Sequence, residues 1–173
     1  MAQITDLYIY PVKSLKGIAL KEAQTARRGL EFDREWMITD NNYNFISQRE
    51  IELMPTIQTD IDSSSLVLTS ADQKVLKIPL HSKREVKVRA KVWDDFCNAF
   101  DEGDEASSWL TEVLGMFNQS PLRLVRFDHE GKRKVPKQYL NGEHAESAFS
   151  DQFPYLITSW ESLSKLNIRL LGN

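Results

Sequence analysis

Apolar residues recur with a period near two along the early part of the chain and near 3.6 along two later stretches. This split predicts a sheet-rich body followed by helices. Residues 4–12 carry Ile4, Leu7, Tyr8, Ile9, Tyr10 and Val12 in partial alternation and predict a strand. Trp36-Met37-Ile38-Thr39 and Phe45-Ile46-Ser47 flank Asp40-Asn41-Asn42-Tyr43-Asn44. That Asp/Asn cluster tolerates the positive φ of tight turns and predicts a hairpin. A second hairpin is predicted from Leu66-Val67-Leu68 and Val75-Leu76-Lys77-Ile78, joined by Thr69-Ser70-Ala71-Asp72-Gln73. Residues 85–92 alternate, with Val86, Val88 and Ala90 expected on one side. Short strands at this spacing predict a barrel or sandwich rather than a parallel α/β sheet.

Two helices follow. In residues 104–114, Ala106, Trp109, Leu110, Val113 and Leu114 fall at i, i+3, i+4, i+7 and i+8, with Asp104 expected as N-cap and Gly115 as C-cap. In residues 159–170, Ser159 is the expected N-cap, Leu163, Leu166 and Leu170 share a face, and the end is expected near Gly172. Residues 130–146, with Gly131, Pro136, Gly142 and the basic run Lys132-Arg133-Lys134, predict a long exposed loop.

Composition narrows the picture. A length of 173 residues suits one domain, or one with the beginning of another, and 41% hydrophobic residues suffice for a core. The net charge of −3 argues against a nucleic-acid partner, which would call for a basic field. No apolar run approaches the roughly 18 residues of a membrane span. The opening Met1-Ala2-Gln3-Ile4-Thr5-Asp6 has neither the basic region nor the apolar block of a signal peptide. The lone Cys97 excludes an internal disulfide framework and a multi-cysteine zinc site, so the expected compartment is a reducing cytoplasm.

No Gly-rich phosphate loop, Gly-x-Ser-x-Gly elbow or His-Glu-x-x-His appears. His81, His129 and His144 are scattered through polar stretches and read as surface residues, and Cys97 reads as a half-buried strand residue. Three motifs remain: Tyr10-Pro11-Val12-Lys13-Ser14, Gly29-Leu30-Glu31-Phe32-Asp33-Arg34-Glu35-Trp36 and Ile46-Ser47-Gln48-Arg49. A lysine as point charge, an arginine as planar fork and a hydroxyl nearby are what an anionic ligand needs. Pairing of the first strand with the Trp36 strand would bring Arg34 beside Lys13 and Ser14. Spacing alone leaves open a second arrangement, in which Arg34 pairs with Asp33 or Glu31 and Lys13 is only solvated.

In their order along the chain these motifs resemble the MOSC amino-terminal (β-barrel) domain family. That family precedes the MOSC catalytic domain in molybdenum-cofactor enzymes such as amidoxime-reducing components and bacterial reductases of N-hydroxylated bases. Val92-Trp93, Trp109-Leu110 through Leu114-Gly115, residues 122–126, Phe149-Ser150-Asp151-Gln152-Phe153-Pro154 and Leu163-Ser164-Lys165-Leu166-Asn167 resemble further segments of it.

The resemblance implies an α+β architecture: a β-rich barrel-like domain over residues 1–120, then residues 121–173 as linker and first elements of a truncated MOSC domain. It assigns contacts with the molybdenum cofactor, a pterin dithiolene with a phosphate tail, to Lys13, Ser14 and Arg34. Asp151 and Gln152 match a segment near that cofactor. The family's metal-binding cysteine lies in the MOSC half beyond an Arg-Pro-Asn segment, and the chain ends at Asn173 before either. Neither a catalytic nor a metal-ligating residue is therefore expected here, and Cys97 matches no family motif. The implied function is the cofactor-embracing portion of a molybdenum oxidoreductase. At full length it would act on an N-hydroxylated small molecule with an electron-donor protein or domain, whereas this chain alone is expected to be inert and to bind no cofactor. Two other readings stand beside it: a stand-alone anion- or nucleotide-binding module using the same Lys13, Ser14 and Arg34, and a structural or interaction domain that meets a partner through residues 130–146. Neither nucleic acid nor membrane is an expected partner.

Overall fold

The computed structural model of the chain describes residues 3–171. In chain order the strands are β1 (Leu7–Ile9), β2 (Ile18–Leu20), β3 (Thr25–Ala26), β4 (Gly29–Leu30), β5 (Trp36–Thr39), β6 (Gln58–Ile61), β7 (Ser65–Thr69), β8 (Val75–Pro79), β9 (Lys87–Val92), β10 (Asp95–Asp101) and β11 (Arg123–Phe127). Helix α1 (Asp104–Leu114) lies between β10 and β11, and α2 (Trp160–Leu171) follows them. The strands form four sheets, β1-β2, β3-β4, β6-β7-β8 and β5-β11-β10-β9, and every strand pair is antiparallel. This is the expected β-rich α+β architecture.

The four-stranded sheet divides the core. On one face Trp36, Ile38 and Leu124 join Val12, Leu15, Leu66, Leu68, Leu76, Ile78 and the α1 residues Ala106, Trp109 and Leu110. On the other, Met37, Val125 and Phe127 pack with Ala90, Val92, Cys97, Ala99 and Phe149. Strand alternation produces this division, because neighbours such as Trp36 and Met37 point to opposite faces, and β5 is buried along its whole length. The predicted hairpin of β7 and β8 sets Leu66 opposite Ile78 and Leu68 opposite Leu76, all facing the first cluster.

Local details differ from expectation for identifiable reasons. The first strand is shorter than residues 4–12: Ile4 is exposed, and beyond Ile9 the chain leaves β2 to run beside β5. The Trp36 hairpin closes through a Thr39–Phe45 bridge, with the Asp40 carboxylate accepting from the Asn42 and Asn44 amides. In β9 the inward positions are Val88, Ala90 and Val92, while Val86 precedes the strand and is exposed. Asp104 is the first residue of α1 rather than its cap; Gly103 occupies that place, and the Asp104 carboxylate instead accepts from Arg123 at 2.8 Å. Gly115 does cap the C-terminus, its amide donating to the Thr111 carbonyl. The Ser159 hydroxyl accepts from the Ser162 amide at the start of α2. The expected end near Gly172 lies outside the described residues.

Residues 130–146 are mostly exposed, as expected, but Arg133 of the basic run is not. Arg133 is buried and folds the segment back, donating to the Asp95 carboxylate, to the Ser147 hydroxyl and to the carbonyls of Ala148, Ser150 and Asp151. A guanidinium carries five donors and no acceptor, so a run of outward carbonyls is a natural seat for it. Val135 and Phe149 are buried beside it, Phe149 edge-on to Phe127 at 5.4 Å. Beyond Ser150 the chain is largely exposed, and α2 buries none of its residues.

Candidate functional site

The Pro11 carbonyl accepts from the Trp36 amide at 3.0 Å. The Lys13 amide donates to the Trp36 carbonyl at 2.9 Å, and the Arg34 amide to the Tyr10 carbonyl at 2.8 Å. These bonds align residues 10–13 with residues 34–36. The chain then turns at Lys13-Ser14, closed by the Leu15 amide on the Val12 carbonyl at 3.1 Å. Lys13, Ser14 and Arg34 consequently line one shallow cleft of about 270 Å³, together with Tyr10, Phe45, Gln48, Arg49, Trp93 and Asp151. The residues singled out in all three motifs meet there.

Three of these residues have left-handed backbones without being glycine: Ser14 at φ 71°, Arg34 at φ 53° and Trp93 at φ 54°. Each costs on the order of 1 kcal/mol that surrounding contacts must offset, and such residues concentrate at binding sites. Lys13 is buried, its ammonium 4.9 Å from the Phe45 ring centre and 5.9 Å from that of Trp93. Arg34 lies over Tyr10 at 5.0 Å and Arg49 over Trp93 at 5.9 Å. Aromatic faces lower the cost of holding cations partly out of water.

Carboxylates meet two of the cations. Lys13 donates to the Asp151 carboxylate at 2.6 Å, and the Trp93 indole N–H donates to the same oxygen at 2.9 Å. Arg34 donates to Asp33, whose other oxygen accepts from the Tyr10 amide at 2.7 Å. Arg34 thus pairs with Asp33, as the second arrangement has it, and still lines the cleft, while Lys13 is buried against Asp151 rather than only solvated. Burial pushes the Lys13 ammonium below the ordinary lysine range, and Asp151 restores only part of that loss. Burial likewise raises the Asp33 carboxyl, against the pull of Arg34. At Asp151 burial works against the charge, but the bonds from Lys13 and Trp93 prevail and hold its carboxyl below the usual range.

Gln152 is exposed and is not among the residues lining the cleft. Trp93, Phe45 and Tyr10 do line it, although local pattern gave them no site role; the signal for Trp93 was an aromatic residue at a polar turn between two strands. Cys97 stands apart on the buried face of β10, its thiol directed at the Ala90 carbonyl at 3.7 Å and pushed up to about 11 by burial. The three histidines are exposed. A larger cleft of about 540 Å³ lies elsewhere, lined by Arg28, Arg84 and Arg126 among others. Among the described residues no group of three or more His, Cys, Asp or Glu could hold a metal ion, and no helix is long and apolar enough to cross a membrane.

Fold and site together define a small antiparallel β domain with a cation-bearing cleft where residues 10–14, after β1, run beside the start of β5. The chain belongs to the MOSC N-terminal beta barrel domain family, which its residues 1–117 match. It is 31% identical over 174 residues to mitochondrial amidoxime-reducing component 1 of Homo sapiens, covering 96% of this chain and 51% of that protein. It is 26% identical over 175 residues to molybdenum cofactor sulfurase of Homo sapiens, covering 96% of this chain and 19% of that protein. Among solved structures, a Bordetella bronchiseptica protein determined in solution aligns with a TM-score of 0.48 and 18% identity, covering 64% of this chain and 92% of that one. The chain thus spans about half the length of the first of these relatives and a fifth of the second.

Proposed function

We propose that this chain is the amino-terminal, cofactor-embracing portion of a MOSC-type molybdenum-cofactor oxidoreductase. The carrying observation is that Lys13, Ser14 and Arg34, more than twenty residues apart at the extremes, line one cleft. Their chemistry fits the anionic end of such a cofactor. Lys13 offers a buried ammonium, Ser14 a hydroxyl, and Arg34 a guanidinium fork suited to paired phosphate oxygens. A 270 Å³ cleft open to solvent holds only part of a pterin with a phosphate tail, so the remaining wall belongs to another part of the full-length protein. When bound, the cofactor supplies the redox chemistry, while these side chains bind and orient it. Asp151 lines the cleft beside them, whereas Gln152 lies outside it.

The relatives lend a second support. One is named for reducing amidoximes and the other as a molybdenum cofactor sulfurase, yet both align with the same stretch of this chain. A stretch shared by two differently named activities suits a shared task, holding a cofactor, better than either reaction. On this reading residues 1–120 form the amino-terminal domain, and residues 121–173, beginning with β11, lead into the catalytic half. The full-length protein reduces a small N-hydroxylated molecule with electrons from a donor protein or domain, in a reducing cytoplasm. This chain alone is inert.

A structure of the cofactor-loaded full-length protein tests the reading. Lys13, Ser14 and Arg34 are expected within about 3 Å of cofactor oxygens. A cofactor seated away from this cleft would refute the assignment.

A further inference from the structure

We infer that Asp151 is the specificity-determining residue of the Lys13 cleft: it stands in for the anion of a ligand and reserves the site for a phosphate over a carboxylate. The inference rests on the anion-binding reading above and concerns which anion is taken.

The geometry is that of an occupied anion site. One oxygen of Asp151 accepts from the Lys13 ammonium at 2.6 Å and from the Trp93 indole N–H at 2.9 Å. The partners differ sharply in environment, the Lys13 side chain being 9% exposed and that of Asp151 73% exposed. An ammonium held out of water needs a negative partner, because leaving it unpaired in the interior is costly. The carboxylate has no such constraint; released from Lys13 it returns to solvent. Exchange of Asp151 for another anion therefore moves the exposed partner and leaves the buried one in place.

The tether gives the exchange its selectivity. Arg133 donates to the Asp151 carbonyl at 2.8 Å and to the Ser150 carbonyl, holding the backbone so that the carboxylate stays beside Lys13. A tethered group acts at an effective concentration in the millimolar range or above. A free monocarboxylate offers Lys13 and Trp93 nothing that Asp151 lacks, so at ordinary concentrations it does not displace it. A phosphate carries more charge and three acceptor oxygens. It can satisfy Lys13 and Trp93 while also reaching the Ser14 hydroxyl and the Arg49 guanidinium, which line the same cleft. Arg49 has no carboxylate within ion-pair distance among the described residues. The apparent affinity for any anion is reduced by the fraction of molecules in which Asp151 occupies the seat. Removing the Asp151 charge should strengthen phosphate binding and admit carboxylates.

Inorganic phosphate and acetate, each titrated into the chain, the Asp151→Asn variant and the Lys13→Met variant at constant ionic strength, test this by the Ser14 amide and Trp93 indole resonances. The parent is expected to bind phosphate saturably and show no saturable acetate shift. Asp151→Asn should bind phosphate at least fivefold more tightly and acquire saturable acetate binding. Asn still accepts from Trp93, and the side chain is exposed, so folding is preserved. Phosphate binding by Asp151→Asn that equals or falls below that of the parent, with acetate still excluded, would overturn the inference while leaving the anion site intact. Phosphate binding that is absent from parent and Asp151→Asn alike, or unchanged in Lys13→Met, would overturn both the inference and the anion-binding reading.

Discussion

Replacing Arg133 by methionine removes the clamp of residues 130–151 while keeping most of the apolar stem. The charge-assisted bonds lost are one from Nε to the Asp95 carboxylate at 2.9 Å, with an ion-pair contact to the same oxygen at 2.8 Å, and those to the carbonyls of Ala148, Ser150 and Asp151 at 2.9, 2.5 and 2.8 Å. At about 1.5–3 kcal/mol each, a simple sum exceeds what one substitution costs, because bonds sharing a donor are not independent. The ceiling is set locally: once the clamp costs more than releasing the segment, the segment detaches and its carbonyls return to water. What detachment exposes is chiefly Phe149, a loss of about 2–3 kcal/mol, and the ion pair, whose Asp95 partner is exposed to solvent, adds about 1 kcal/mol or less. A total of about 2–4 kcal/mol follows, or a Tm lower by roughly 4–16 °C for a chain of this size. Chemical denaturation measures the total, and amide exchange locates it. The Phe149 amide, which donates to the Arg34 carbonyl at 2.9 Å, should lose protection before the β9 and β10 amides do. Arg133→Lys, keeping the charge but not the fork, should fall between. A loss under about 1 kcal/mol with the Phe149 amide still protected would refute the clamp.

Other outcomes follow from single contacts. Gly29 sits at φ +121°, and a Cβ there would lie 2.9 Å from the Pro154 carbonyl oxygen, so Gly29→Ala should cost about 1–3 kcal/mol and free residues from 154 onward to proteolysis. The Cys97 thiol, pushed up to about 11 by burial, should resist alkylation at pH 8 in the native state, and rapid labelling would contradict its placement. Its linkage has a definite sign: the unfolded chain ionises near 9 and the native thiol does not, so stability should fall as pH rises through 9 towards 11, and a Cys97→Ser variant should lose that part of the slope. In α2, Leu163, Leu166 and Leu170 are exposed, so its amides should exchange faster than those of the four-stranded sheet, and sedimentation should reveal concentration-dependent association that Leu166→Glu weakens. Protection of α2 equal to that sheet in a proven monomer would contradict this.

What sequence pattern captured and what it missed follow from range. The β7–β8 hairpin and the α1 stripe depend on local period and turn chemistry, so they were legible. β6 was not: Gln58-Thr59-Asp60-Ile61 is an edge strand with little apolar signal, and β7 recruits it through backbone bonds. Arg133 read as a surface charge because its neighbours Lys132 and Lys134 are exposed, and only the folded path of residues 147–151 supplies its acceptors. The site shows the same division. Lys13, Ser14 and Arg34 stood out as residue types able to hold an anion, but Lys13 and Asp151 are 138 positions apart, and no periodicity announces that pairing. Trp93 reaches the cleft through a left-handed turn at a non-glycine residue, which pattern does not anticipate.

The central claim, that this cleft holds the anionic end of a molybdenum cofactor, is tested most directly by cofactor content. The measurement is molybdenum and pterin per polypeptide in a protein that joins this chain to a MOSC catalytic domain, purified as parent, Arg34→Ala and Arg89→Ala. Arg89 lies on β9 over the Phe96 ring, away from the cleft, and serves as the control. Loss of a charge-assisted contact of about 1.5–3 kcal/mol lowers cofactor affinity roughly 10- to 150-fold. Arg34→Ala should therefore retain a small fraction of the parent's cofactor while remaining folded, and Arg89→Ala should retain all of it. Parent-level molybdenum and pterin in folded Arg34→Ala would contradict the account.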